Sequence, residues 1–220
     1  LRRRDREAIA LADAVIVPTD ELARRAKGLG ATPSNILVLR PSADPALFAP
    51  PADRRRRRDT SLALLACRAH FASRDTAFLT SAVLKLPRDL PWSLTVAGNI
   101  EPTERTGLTH LGATLVDPPL YEELPPLFEK ADIGLVLDAG PVRGESQPVP
   151  LQVLSEMAAS GLAMVAPALP CVRESFEDGT HALLVPPGDA QAVATAVELL
   201  FREPVRRRQL GAAARARVSE

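Results

Sequence analysis

The chain has 220 residues, the size of one ordinary domain or of one domain with part of another. Hydrophobic residues make up 46% and charged residues 25%, which supplies a core and excludes an intrinsically disordered chain. Lys plus Arg and Asp plus Glu each number 27, so the formal net charge is zero and no global basic field exists to draw nucleic acid.

In chain order, residues 2–12 have helical spacing and lead into an apolar strand at 14–17. Thr19 or Asp20 is placed to cap a helix over 21–29, which Gly28 and Gly30 help to end. A second strand is predicted at 35–39. Residues 41–60 contain Pro41, Pro45, Pro50 and Pro51, then the arginine run 54–58, and lack apolar periodicity; they read as an interdomain linker. Beyond it, strand and helix signals alternate: strand 61–67, helix 75–86, strand 92–97 closed by Gly98, and strand 112–116. A helix over 125–130, with Pro125 and Pro126 in its first turn, precedes a strand at 132–137. A helix at 152–160, strands at 163–166 and 182–185, and helices at 190–201 and 204–218 complete the series, with Asp189 as an N-cap. Near-continuous apolar strands alternating with helices predict an α/β fold, a doubly wound parallel sheet of Rossmann-like type.

Cys67 and Cys171 stand apart and outside any CxxC pattern, so they read as two reduced thiols of a cytosolic protein, with a disulfide or metal site as the alternative. His70, His110 and His181 lack metal-ligand spacing, and no apolar stretch approaches the roughly 20 residues of a membrane span. The start, Leu1 followed by Arg2, Arg3 and Arg4, has neither an initiator Met nor an apolar signal core. It reads as a cut within a longer protein.

In a doubly wound sheet, ligands bind where strands end and helices begin. Two such loops carry chemistry. The loop 138–148 leaves the strand 132–137 and opens the helix bearing Glu156. Gly140 and Gly144 allow backbone geometries that bring N–H groups to a ligand, and a helix N-terminus adds partial positive charge suited to a diphosphate. Glu156 falls about two turns beyond Val149, roughly 10 Å along a helix axis, where a carboxylate can accept hydrogen bonds from ribose hydroxyls. The loop 68–74 carries Arg68 and Arg74, whose planar guanidinium groups match phosphate oxygens. Geometry alone leaves both loops open between a ligand cradle and ordinary solvated surface.

Several segments resemble family 4 glycosyltransferases. Glu156-Met-Ala-Ala-Ser-Gly161 followed by Leu162 to Val165 is similar to that family's acidic, small and apolar run. Val172, Arg173 and Glu174 through Gly179, then Leu183 to Asp189, are similar to its next segment. Tyr121-Glu-Glu-Leu-Pro, Ala131-Asp132, the run Ala12 to Thr19, and Pro41-Ser-Ala-Asp44 with Phe48 and Pro50 resemble further family segments in the expected order. The resemblance implies a GT-B fold in which residues 1–40 are the tail of an N-terminal acceptor domain, 41–60 the linker, and 61–220 the C-terminal nucleotide-sugar-binding domain. It implies that Arg68 and Arg74 hold the diphosphate and Glu156 the ribose, with Gly144, Ser146 and Gln147 on the loop around the donor. Glu174 and Gly179 read instead as a helix-end contact and sheet-edge packing.

The chain departs from the family where a second Glu is usual, eight positions before Glu156: Pro148 stands there. Glu145 is the candidate substitute for it and, with Arg74, for the catalytic role. Arg74 also replaces a common Lys. Together with Phe78, Trp92 and Asp132-Ile-Gly-Leu135 it resembles polysaccharide rhamnosyltransferases, some of which lack that Glu. The activity implied by the resemblance is glycosyl transfer from a nucleotide-diphosphate sugar to a glycan or lipid-linked acceptor, with retention of configuration. The 220 residues alone are expected to bind donor weakly and to transfer nothing. No cofactor is implied and no metal, since no Asp-x-Asp pair occurs. The expected partners are the donor and the acceptor, with no nucleic acid. Residues 54–58 either touch anionic lipid at a cytoplasmic membrane face or form a solvated linker, and Arg206 to Arg208 read as a wet face. Trp92 and Tyr121 read as packing. The rivals are a non-catalytic sugar-nucleotide-binding or scaffolding domain, which Pro148 favours, and an epimerase of related fold.

Overall fold

The computed structural model describes residues 3–50, 61–71, 73–140 and 149–219. The chain begins with α1 (Arg3–Leu11), β1 (Val15–Val17), α2 (Asp20–Gly28) and β2 (Ile36–Val38). β1 and β2 pair in parallel, and the cap of α2 is Thr19, whose Oγ1 accepts the Leu22 N–H at 3.1 Å. A two-stranded sheet is at best marginally stable by itself. Glu174 ties this unit to the rest of the molecule. Its two carboxylate oxygens accept the Asp20 and Glu21 N–H groups at 2.7 and 2.9 Å, a negative charge on the positive end of α2. This is the helix-end contact expected of Glu174.

The larger unit runs β3 (Leu62–Phe71), α3 (Ser73–Val83), β4 (Trp92–Ile100), α4 (Pro102–His110), β5 (Thr114–Val116), α5 (Leu124–Lys130), β6 (Ile133–Leu135), α6 (Leu151–Ala159), β7 (Ala163–Pro167), α7 (Pro170–Arg173), β8 (Leu183–Val185), α8 (Ala190–Arg202) and α9 (Pro204–Ser219). The strand order is β5-β4-β3-β6-β7-β8, with every neighbouring pair parallel. The winding therefore reverses between β3 and β6, and the two strands leave a crevice beyond their carboxyl ends.

Alternation along the strands fills two cores. Leu64, Ala66, Leu94, Val96, Ile133 and Val165 face Leu79 and Val83 of α3 and Val193, Val197 and Leu200 of α8. On the opposite side, Leu65, Cys67, Ala97, Met164 and Ala166 meet Phe128 of α5, Leu154 and Met157 of α6, and Ala214 of α9. Both faces of the sheet are buried, which is why the strands read as apolar runs. α9 lies so close to the start of β7 that a Cβ on Gly211 would fall 2.3 Å from the Gly161 carbonyl oxygen.

Several features differ from the sequence reading. The segment 68–74 is not a loop: β3 runs on through Arg68 to Phe71, and α3, starting at Ser73, contains Arg74. β4 does not close at Gly98 but continues to Ile100. α4 has no counterpart among the predicted elements, because only Leu108 of it is buried and its apolar period is too thin to register. The short α7 likewise has none. Arg207 is not a wet face: it is 8% exposed and its Nη1 donates to the Leu200 carbonyl at 2.8 Å.

The first part of the segment read as a linker is anchored. Phe48 is fully buried against Phe128 and Tyr121, with ring centroids 5.7 and 5.5 Å away. The Ser155 hydroxyl donates to the Pro41 carbonyl at 2.9 Å. Arg215 of α9 donates to the carbonyls of Pro45 and Phe48, both at 3.0 Å, and of Ala159. Residues 54–58 lie outside the described residues. Hydrogen bonds from a charged donor contribute roughly 1.5–3 kcal/mol each and are not additive, so Arg215→Ala is expected to lower the unfolding free energy by about 2–4 kcal/mol. Urea denaturation checks this, and a loss below about 1 kcal/mol would show the clamp to be dispensable.

Candidate functional site

At its carboxyl end β3 bulges between Cys67 and His70, and the Arg68 carbonyl presses on the neighbouring strand. Gly98 makes room for it. With φ at +146°, a Cβ there would lie 1.9 Å from the Arg68 carbonyl oxygen, so β4 can pass the bulge only with glycine at that point. The bulge directs Arg68 toward α3. Its Nη1 lies 3.2 Å from Asp75 Oδ2, and its guanidinium sits 5.7 Å from the Phe71 ring centroid. Sequence reasoning misses Asp75. An acidic residue in the first turn of the helix following an arginine-bearing strand end is the signal that could have found it.

Arg74, in the first turn of α3, reaches across the crevice and donates through Nη2 to the Gly140 carbonyl after β6. Its Nη1 is buried and has no hydrogen-bond partner among the described residues. An unsatisfied buried donor costs roughly 1–3 kcal/mol, so a guanidinium held in this way is an anomaly that a ligand oxygen would remove.

The Gly140 carbonyl is fixed by its own turn. The Gly140 N–H donates to Asp138 Oδ1 at 2.6 Å, and the Asp138 carbonyl accepts the Gly188 N–H at 2.9 Å. Gly140 and Gly188 have φ of +88° and +77°, and a Cβ on Gly140 would meet the Gly188 Cα at 3.6 Å. The Gly140 N–H itself is thus engaged within its own turn. Asp138 takes that N–H, and the glycine serves the contact between two strand-end turns. Gly144, Glu145, Ser146, Gln147 and Pro148 lie outside the described residues.

α6 begins at Leu151, after Val149 and Pro150, which are not helical. Pro150 is at the N-cap position and supplies no side-chain cap; the Leu151 N–H donates to the Val149 carbonyl at 2.8 Å, and the Gln152 and Val153 amides carry the partial positive charge of the helix start. Val149 is outside the helix, and Glu156 stands five residues after Leu151, about 7.5 Å along the axis rather than two turns from Val149.

Glu156 is 2% exposed. Its Oε1 accepts the Gln152 amide at 3.0 Å, and the same nitrogen donates to the Ser42 carbonyl at 2.8 Å. Burial pushes the Glu156 carboxyl above the usual carboxylate range, and the Gln152 hydrogen bond partly opposes it. The Cys67 thiol is pushed up to about 12, mainly by burial and then by the Glu156 charge. The Tyr121 hydroxyl is raised by burial, then by Glu156 and Asp44. The Glu156 charge is thus felt both at Cys67, next to Arg68 in β3, and at Tyr121.

A small pocket of about 10 Å³ is lined by Cys67, Arg68, Phe71, Asp75, Val136 and Pro150. The structure thus brings Arg68 together with the start of α6. Neither Arg74 nor Glu156 lines it. Larger surface grooves at the α8–α9 turn and beside α7 share no lining residue with this pocket. Among the described residues, no group of three or more His, Cys, Asp or Glu could hold a metal, both cysteines are free, and no helix is long and apolar enough to cross a membrane.

Comparison with known proteins bears on this arrangement. The chain is similar to a sucrose-phosphate synthase from Thermosynechococcus elongatus, at 21% identity and a TM-score of 0.78 over 98% of this chain and 55% of that one. It is similar to Anabaena HepE in complex with UDP and glucose, at 15% identity and a TM-score of 0.80 over 100% of this chain and 63% of that one. It also resembles the C-terminal domain of the group 1 glycosyl transferase LpcC from Francisella tularensis, at 17% identity and a TM-score of 0.62 over 81% of this chain and 97% of that one. The chain thus spans 55% and 63% of the first two proteins, and at these identities the likeness shows the fold. No curated protein matches it. Residues 63–203, well over half of the chain, match the family described as glycosyl transferases group 1, and the chain belongs to that family.

Proposed function

We propose that this chain is the donor-binding half of a glycosyltransferase, which holds a nucleotide-diphosphate sugar at the β3/β6 crevice for transfer to a polysaccharide or lipid-linked acceptor. The observation that carries the reading is Arg74 Nη1, a buried cationic donor without a partner among the described residues, at the winding reversal of the sheet. HepE in complex with UDP and glucose supports a nucleotide-sugar ligand for this fold. Arg68 and Arg74 take the diphosphate, together with the first-turn amides of α6, and Glu156 accepts the ribose hydroxyls. Gly144, Ser146 and Gln147 complete the loop around the donor, and Glu145 contacts the transferred sugar in place of the Glu that Pro148 displaces. Charge that grows on the leaving diphosphate is met by donors already in position, the largest contribution such sites make.

In this reading, residues 1–40 belong to an acceptor domain, 41–60 link it, and 61–220 bind the donor. Transfer proceeds with retention, and the chain is of the polysaccharide rhamnosyltransferase type. It works in the cytoplasm, with residues 54–58 either a solvated linker or a contact with anionic lipid at a membrane face. Pro148 favours a second reading, a sugar-nucleotide-binding domain without catalysis. Calorimetry with UDP, dTDP, GDP and ADP, each beside its free nucleoside, tests the site. One diphosphate is expected to bind at least about tenfold more tightly than its nucleoside, the equivalent of about 1.4 kcal/mol. Equal or absent binding for every pair would contradict the donor site. Sugar transfer by the 220 residues alone would contradict the domain division.

A further inference from the structure

We propose that Gln152 is a positioning residue for the donor carboxylate, because one amide nitrogen holds Glu156 Oε1 and the Ser42 carbonyl together and so sets the carboxylate by the main chain of residues 41–48. The inference rests on the reading of Glu156 as the ribose contact.

Three observations place Gln152 in this role. It lies one helical turn before Glu156 on α6, the spacing at which side chains on a helix meet. Its two acceptors belong to different parts of the chain, 110 residues apart in one case and 4 in the other. The Ser42 carbonyl is itself in an anchored stretch, held next door by Ser155 at the Pro41 carbonyl and further on by Arg215 at Pro45 and Phe48. Gln152 therefore has a fixed backbone point to push against, and Glu156 Oε1 is engaged before any ligand arrives. Oε2 is left as the free acceptor edge. The other ionisable groups that feel the charge of this carboxylate are Cys67 in β3 and Tyr121 before α5, with Asp44 of the anchored stretch acting on Tyr121. Cys67 and Tyr121 both titrate far above neutral pH, so between mildly acid and neutral pH Gln152 is the side chain that tunes the carboxylate.

The carboxyl carbon of Glu156, followed by NMR through an acid titration of the ligand-free chain, reads the contact directly. Gln152→Leu removes the donor at similar size and is expected to raise the titration midpoint by about one pH unit, the worth of one hydrogen bond to an ionised group. Gln152→Asn, too short to reach both acceptors, is expected to do the same and covers the case in which the leucine variant does not fold. Ser155→Ala loosens the same stretch while keeping the Gln152 donor and is expected to move the midpoint by less than half as much. An unmoved midpoint in Gln152→Leu and Gln152→Asn overturns the proposal, and so does an equal shift in Ser155→Ala. Calorimetry with the diphosphate that binds most tightly in the panel separates this result from the donor reading. Wild type is expected to lose affinity on acidification, Gln152→Leu to lose it at the higher midpoint, and Glu156→Gln to show no such acid limb. An unchanged affinity and acid limb in Glu156→Gln would remove the ribose contact while leaving the NMR outcome to stand or fall independently.

Discussion

Arg74→Ala is expected to weaken binding of the preferred nucleoside diphosphate about a hundredfold while changing folding stability by less than about 1 kcal/mol. The two effects separate because the two ends of the guanidinium do different things. Nη2 holds the Gly140 carbonyl, and its loss costs roughly 1.5–3 kcal/mol. Nη1 is buried without a partner, and its removal relieves roughly 1–3 kcal/mol. These terms nearly cancel in the empty protein. With a diphosphate bound they add, because the variant loses both the phosphate contact and the tether that holds the strand-end turn in place. A charge-assisted contact of about 3 kcal/mol corresponds to roughly a hundredfold in affinity. Arg74→Lys is expected to recover only part of this, since a single ammonium cannot serve Gly140 and a phosphate oxygen with the fork geometry of arginine. Calorimetry and thermal unfolding on the same samples check both halves. A diphosphate affinity within about threefold of wild type would count against Arg74 as a ligand.

Glu156→Gln should produce the opposite pairing, a more stable protein that binds donor less well. Burial raises the Glu156 carboxyl above its ordinary value, so the folded state holds that proton more tightly than the unfolded chain. Between the ordinary carboxylate value and the raised folded value, stability therefore falls as pH rises, and above the folded value the loss is complete. At neutral pH the wild type carries a desolvated charge that glutamine does not, so Glu156→Gln is expected to melt at a higher temperature. The advantage should shrink on acidification, as the wild-type carboxyl takes up its proton. Function runs the other way. An ionised carboxylate accepts two ribose hydroxyls, whereas the amide offers one oxygen and turns donors toward the other hydroxyl. Loss of one or two charge-assisted hydrogen bonds, about 2–3 kcal/mol, predicts roughly 30–150-fold weaker donor binding. Melting curves at pH 5 and pH 8 with parallel calorimetry test the pair. A variant no more stable than wild type at pH 8 would mean that the carboxylate is not strained by its burial.

How much of the molecule is legible in its sequence depends on how local each signal is. The alternation of Leu62 to Cys67 with the spacing of Phe78, Leu79 and Val83 follows from periods of two and 3.6 residues and needs no tertiary information. The Thr19 and Asp189 caps are equally local, a side-chain oxygen and an amide three residues on. Features created by packing are hidden. Gly98 reads as a strand end until the Arg68 carbonyl on the neighbouring strand explains it. Arg207 reads as one of three surface arginines until the Leu200 carbonyl comes within reach. At the site, Arg68 and Arg74 can be named from the strand-to-helix segment that carries them, and Asp75 from its first-turn position, but Gln152 and the Asp138 turn cannot. Their roles are set by a partner distant in sequence or by a turn whose geometry depends on Gly188.

A diphosphate seated between the two arginines at the start of α6 is the premise of every binding effect expected above, and a crystal structure of the chain with the tightest-binding nucleoside diphosphate tests it most directly. A phosphate oxygen within hydrogen-bond distance of Arg74 Nη1, with the ribose hydroxyls at the Glu156 carboxylate, is the predicted result. A nucleotide seated elsewhere, with Arg74 Nη1 still unengaged, would contradict it.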